Sequence, residues 1–112
     1  MAEIDADLTR QKNGYVTYAW LAAEAGDTGK PLEDVFTLPD KTVVVQGTLT
    51  EDLTMQGSMD RTTWFTLKDI QGNDIVFSAA GNAVILQNPR YIRFSIAAGT
   101  GGSADIYITA AK

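Results

Sequence analysis

The segment from Thr42 to Leu67 constrains this chain most. It reads Thr42-Val43-Val44-Val45-Gln46-Gly47-Thr48-Leu49, then a polar break at Thr50-Glu51-Asp52, then Leu53-Thr54-Met55-Gln56-Gly57-Ser58. A second break at Met59-Asp60-Arg61 leads into Thr62-Thr63-Trp64-Phe65-Thr66-Leu67. β-branched and aromatic side chains dominate the runs and suit a pleated, half-buried surface. The breaks carry residues that tolerate tight turns. Successive strand side chains point to opposite faces, so Val43, Val45, Gly47 and Leu49 share one face while Val44, Gln46 and Thr48 share the other. Three consecutive antiparallel strands are the expectation, with one face of each buried.

The flanking sequence extends the same pattern. Tyr15 to Leu21 has strong strand propensity, with Val16, Tyr18 and Trp20 on one face. Ala22 to Glu33 reads as a loop, because Gly26-Asp27-Thr28-Gly29-Lys30-Pro31 interrupts any regular element. Val35 to Leu38 reads as a short strand stopped by Pro39. Beyond the centre, Ile75 to Ser78, Ala83 to Gln87, Arg90 to Ile96 and Asp105 to Ala110 are strand-like, separated by turn signals. The fold class expected is all-β: a jelly-roll-like antiparallel β-sandwich of about eight to nine short strands. Residues 1–12, polar apart from Ile4 and Leu8, read as an N-terminal arm, and residues 13–112 as a single sandwich domain. The expected core is Val43, Val45, Leu53, Met55, Trp64, Leu67, Ile75, Phe77, Ile92, Phe94, Ile106 and Ile108.

Composition narrows the chemistry. The chain of 112 residues has no Cys and no His. That removes disulfides, thiolate ligands, the commonest general base and the commonest transition-metal ligand. The adjacent carboxylates Glu33/Asp34 and Glu51/Asp52 fall in turns and read as solvated, and Asp60, Asn73 and Asp74 fit no calcium-loop spacing. The glycines of 26–29 and 99–102 lack the Gly-Lys-Ser/Thr ending of a phosphate loop. No enzyme activity, cofactor or metal is expected. A net charge of −5 disfavours nucleic acid and anionic lipid as partners. The acidic start, Met1 to Asp7, lacks the basic and apolar regions of a secretory signal, and no apolar run is long enough for a membrane helix.

The aromatic residues and Arg90 and Arg93 remain. Trp64 and Phe65 are adjacent, so they point to opposite faces and one of them is outward, as are Tyr91 and Tyr107. Exposed aromatics mark sugar platforms or protein contacts. Arg90 and Arg93 beside Tyr91 suit an acidic partner surface through forked hydrogen bonds. The candidate partner-binding residues are therefore Ile4 and Leu8 in the arm and Arg90, Tyr91 and Arg93 on the sheet.

Several runs also carry a family resemblance: Val45 to Thr48, Met55 to Asp60, Thr63 to Asp69, Gln71-Gly72-Asn73, Ala79-Ala80-Gly81, and above all Asn88-Pro89-Arg90-Tyr91-Ile92-Arg93. Together they resemble small virion proteins of tailed bacteriophages of the capsid decoration, or cement, kind. Arg61 departs from the pattern, standing in a turn where a small residue is usual. The resemblance implies a virion protein made in the host cytoplasm. It would bind the outer capsid surface and the major capsid protein, and self-associate there as a dimer or trimer. The other reading is a carbohydrate-binding module or virion adhesin that stacks sugars on Trp64 and Tyr91.

Overall fold

The computed structural model describes residues 2–12, 14–33 and 38–111. Among them there are eleven strands and no helix: β1 (Glu3–Ile4), β2 (Ala6–Lys12), β3 (Tyr15–Ala23), β4 (Thr28–Gly29), β5 (Asp40–Thr48), β6 (Leu53–Ser58), β7 (Phe65–Thr66), β8 (Val76–Phe77), β9 (Gly81–Ile85), β10 (Tyr91–Ile96) and β11 (Ser103–Ala111). They form two layers. One sheet runs β1-β4-β10-β6-β7, with β8 also pairing β6, and the other runs β2-β3-β11-β5-β9. Pairing is antiparallel except for β1 on β4. This is the jelly-roll-like β-sandwich expected from the alternation, with eleven strands among the described residues rather than eight to nine.

Period-two patterning builds the core. In β10, Ile92, Phe94 and Ile96 are buried while Tyr91, Arg93 and Ser95 alternate outward. In β11, Ala104, Ile106, Ile108 and Ala110 are buried in the same way. Val43 and Val45 meet them from β5, and Leu53 and Met55 from β6. Each fully buried large apolar side chain contributes about 1.5–3 kcal/mol before entropy is subtracted. Trp20 is the largest buried side chain. Its ring meets Phe94 edge-on, with centroids 5.4 Å apart, and its indole N–H donates to the Lys30 carbonyl at 3.2 Å.

Five expectations change. First, the segment 42–67 is not one meander. β5 lies in the five-stranded sheet and β6 in the six-stranded one, so the polar break at residues 50–52 is a crossing between layers. Only β6 and β7 pair, with Gln56 opposite Thr66. Second, Trp64 is outside the core. Leu67 is buried, and the pairing of Phe65 with Gly57 sets the parity that turns Trp64 and Thr66 outward. Third, Phe77 is only half-buried. Fourth, the expected loop from Ala22 contains the end of β3 and all of β4. β3 survives there through a bulge that sets Leu21 and Ala22 against Asp105, with Ala22 at φ 57° and its N–H donating to Asp105 Oδ1 at 3.0 Å. Fifth, the short strand expected over Val35 to Leu38 lies mostly outside the described residues, and Leu38 itself is not in a strand.

Residues 3–12, read as an arm, are paired with the body. β1 edges the six-stranded sheet beside β4, and β2 edges the five-stranded sheet beside β3. The chain turns from one layer to the other at Asp5. Asp27 holds this start in place, accepting from Ala2 N–H at 3.0 Å and from Glu24 N–H at 2.8 Å.

Candidate functional site

The outer face of the six-stranded sheet gathers the sequence's most chemically distinctive side chains. Burial of Ile92, Phe94 and Ile96 sends Tyr91 and Arg93 outward from β10. On the neighbouring strand β6, Gln56 stands opposite Arg93 and Ser58 opposite Tyr91. Arg93 Nε donates to Gln56 Oε1 at 2.8 Å, and its guanidinium lies 4.0 Å from the centre of the Trp64 ring. Partial burial lowers the Arg93 pKa from its ordinary value, and the Glu3 carboxylate opposes that shift. Two further guanidinium groups, those of Arg61 and Arg90, each lie 5.6 Å from the centre of the Tyr91 ring.

The turn between β6 and β7 places Arg61 and Trp64. Its pivot is Ser58, fully buried at the end of β6. Ser58 Oγ donates to Asp60 Oδ1 at 3.0 Å and accepts from Arg61 N–H at 2.9 Å. Asp60 Oδ1 also accepts from the Thr62 and Thr63 N–H groups, both at 2.9 Å. The Thr63 and Thr62 bonds, with that of Ser58, hold the Asp60 carboxyl below its ordinary pKa, because they favour the charged form. Arg61 stands at φ 66°, a left-handed conformation that a residue with a side chain rarely adopts. The departure noted in the sequence therefore coincides with a constrained backbone position held by the Ser58–Asp60 bonds.

Of the predicted site residues, Arg90, Tyr91 and Arg93 come together. Ile4 and Leu8 do not join them: Ile4 is half-buried on β1 against the core, and Leu8 is 49% exposed on β2 in the other sheet, opposite Tyr18. Arg61 and Trp64 join the cluster without being among the residues that local pattern singles out for it. The available signal is the turn Gly57-Ser58-Met59-Asp60 just before Trp64, but its place beside β10 depends on the β6–β10 pairing.

The arrangement suits contact with a charged, flat surface. Among the described residues there is no group of three carboxylate, Cys or His side chains able to hold a metal ion. One face of Trp64 is already covered by Arg93, which leaves less ring for a sugar. A concavity of about 380 Å³ lies elsewhere, where the chain start passes β4, between Asp5 to Asp7 and Lys30 to Leu32. Its charged groups are exposed, and Lys30 already faces Asp5 at 4.0 Å.

No protein-family model matches the chain, and no curated protein matches it either. Solved structures do share its fold. The SPBc2 prophage-derived protein YomS is similar at TM-score 0.57 and 12% identity, over 92% of this chain and 98% of that one. A cupin domain from Bordetella pertussis is similar at TM-score 0.51 and 10% identity, over 96% of this chain and 91% of that one. Peruvianin-I, a cysteine peptidase from Thevetia peruviana latex, is more distant at TM-score 0.45 and 14% identity. The match covers 88% of this chain, and the chain spans only 52% of that protein's length. The first two likenesses establish a cupin-like, jelly-roll β-sandwich. A shared fold alone does not choose between catalysis and binding.

Proposed function

We propose that this chain is a decoration protein of a tailed-phage head, which binds the outer capsid surface and ties neighbouring major capsid subunits together. The observation that carries the reading is the outward face of β10 and β6 with the turn that follows β6. There Arg61, Arg90 and Arg93 are set on the rings of Tyr91 and Trp64. Two further points support it. The Asn88 to Arg93 run resembles the decoration family, and the fold is similar to that of a prophage-derived protein. The space between the sheets is filled by apolar side chains such as Trp20, Phe94 and Ile106, which favours adhesion over catalysis. Repeated copies on a symmetric shell multiply individually weak contacts through effective concentration. Self-association as a dimer or trimer belongs to the same proposal.

Co-sedimentation tests it. Purified protein, mixed with capsids that lack it, is expected to pellet with them to a saturating ratio and to raise their resistance to heat. Protein that stays in the supernatant at every capsid concentration refutes the proposal.

A further inference from the structure

We infer that the cluster of Arg61, Arg90 and Arg93 around Tyr91 and Trp64 is a carboxylate-binding site for an extended acidic peptide segment of the partner. This deepens the binding role proposed above by naming the chemistry of what is bound. Three of the four arginines of a chain with net charge −5 converge on this one face. Among the described residues none of them forms an ion pair, since the two ion pairs present use Lys30 and Lys68. Acidic side chains are plentiful in the chain, yet Glu3, whose charge acts on Arg93, does so without forming an ion pair with it.

The groups are also preorganised. A guanidinium held against a ring face can still present N–H groups to the two oxygens of a carboxylate, and in Arg93 the Nη groups remain for this while Nε is taken by Gln56. The Arg93 side chain is fixed by Gln56 and Trp64, and the backbone that carries Arg61 is fixed by the bond from its N–H to Ser58 Oγ. Less side-chain freedom is therefore lost on binding. Tyr91 and Arg93 stand two residues apart on β10, a repeat of about 7 Å along a strand. Alternate side chains of an extended peptide have the same repeat, so successive same-face carboxylates meet first the Tyr91 pair and then Arg93. A peptide with a few carboxylates carries less total charge than a phosphate polymer, so the net charge of −5 opposes it less.

The test uses the full chain and three probes: a capped peptide alternating Glu and Ala, the same peptide with Gln for Glu, and a short oligothymidylate. Calorimetric titration measures affinity. Tryptophan emission reports the site, since Trp64 lies in it and Trp20 is sealed in the core. The Glu peptide is expected to bind at least about tenfold more tightly than the Gln peptide, the scale of a charge-assisted hydrogen bond. The exposed double variant Arg61→Gln/Arg90→Gln should lose about tenfold or more with its melting temperature kept, and Arg90→Lys should restore part of the loss. Equal affinity for the Glu and Gln peptides, or no loss in the double variant, overturns the inference. Preference for the oligonucleotide overturns it in favour of nucleic acid. A protein that self-associates, and whose oligomer dissociates in the double variant, assigns the face to a second copy and overturns it as well. If capsids bind the protein while the Glu peptide does not, this inference falls and the decoration role stands; the reverse pattern removes the decoration role alone.

Discussion

Gly29 sits where two aromatic rings close over β4, and Gly29→Ala tests how tightly the interior is fitted. A Cβ on Gly29 would lie 2.7 Å from Phe94 Cδ2 and 2.8 Å from both Phe94 Cε2 and Trp20 Cε2. Ordinary contact begins near 3.4 Å, so a ring would have to retreat from 2.7 to 3.4 Å, or β4 would have to lift off by as much. Both rings are fully buried and the Trp20 indole is tied to the Lys30 carbonyl, so neither yields easily. Overpacking of this kind costs about 1–3 kcal/mol. The reduced freedom of the unfolded chain returns about 0.4–1 kcal/mol, leaving a net loss of about 1–2 kcal/mol. At about 2.1 cal/mol/K for each of 112 residues, the unfolding entropy is roughly 235 cal/mol/K, so the melting temperature should fall by about 4–8 °C. The damage should also be local. β4 pairs with β10 through Thr28 opposite Ser95, and among the described residues β1 pairs with β4 alone, so amide exchange should accelerate first at residues 3–4 and 28–30. Urea unfolding of Gly29→Ala, Phe94→Leu and the double variant completes the test, because removing the ring should make room for the methyl added at position 29. A coupling of about 1 kcal/mol is expected, above the roughly 0.3–0.5 kcal/mol scatter of independent sites. Wild-type stability in Gly29→Ala, or simple additivity in the double variant, would refute the packing argument.

Asp60, held below its ordinary pKa by the Thr63, Thr62 and Ser58 hydrogen bonds, should stabilise its turn fully above about pH 3.8 and lose that contribution as pH falls through its lower folded pKa. The Thr62 and Thr63 amide signals should titrate with a midpoint below 3.8 in the wild type and not at all in Asp60→Asn; a midpoint at or above 3.8 contradicts the turn geometry. Lys41 is 1% exposed, and its Nζ donates to the Leu38 carbonyl at 3.0 Å and to Asn88. Desolvation lowers its pKa against the opposing pull of Asp40, so its charge is penalised in the fold and stability should rise with pH from the folded pKa up to the ordinary 10.5. Urea midpoints should show that rise relative to Lys41→Met, and parallel pH curves for the two proteins would exclude it. Deleting residues 2–12 removes β1 and β2, bares the edge of β3 and strips Ile4 and Ala6 from the core. A loss of roughly 2 kcal/mol or more, with increased light scattering, is expected, and an unchanged urea midpoint would show that the two strands contribute nothing.

The layers were legible wherever one face of a strand is uniformly apolar. Tyr91 to Ile96 and Asp105 to Ala110 alternate without exception, and β10 and β11 follow them. Where both faces carry apolar residues the sequence is silent. Tyr15 to Leu21 does not single out Trp20 as the largest buried side chain, because tertiary contact with Phe94 and Lys30 decides it. Parity explains Trp64: a register set by Gly57, seven residues earlier, decides which of two neighbouring aromatics turns outward. β4 lies in a Gly/Asp/Pro-rich stretch with little strand propensity of its own, and it pairs because Gly29 fits under the rings. The charged run at residues 3–12 has the composition edge strands use to discourage unwanted pairing, which reads equally as an arm. Three of the five clustered residues were legible, Arg90, Tyr91 and Arg93. Arg61 and Trp64 reach it from about thirty residues away through β6, a distance local pattern cannot bridge.

In the five-stranded sheet β11 lies between β3 and β5. The middle board of that layer is thus the last of its strands to leave the ribosome. Until residues 103–111 emerge, β3 and β5 have no common neighbour, and the valines of β5 wait beside bare backbone. Folding of this layer is therefore late and close to all-or-none, and a chain stalled before Ser103 presents sticky, unsatisfied edges to the cell rather than a smaller version of the same body.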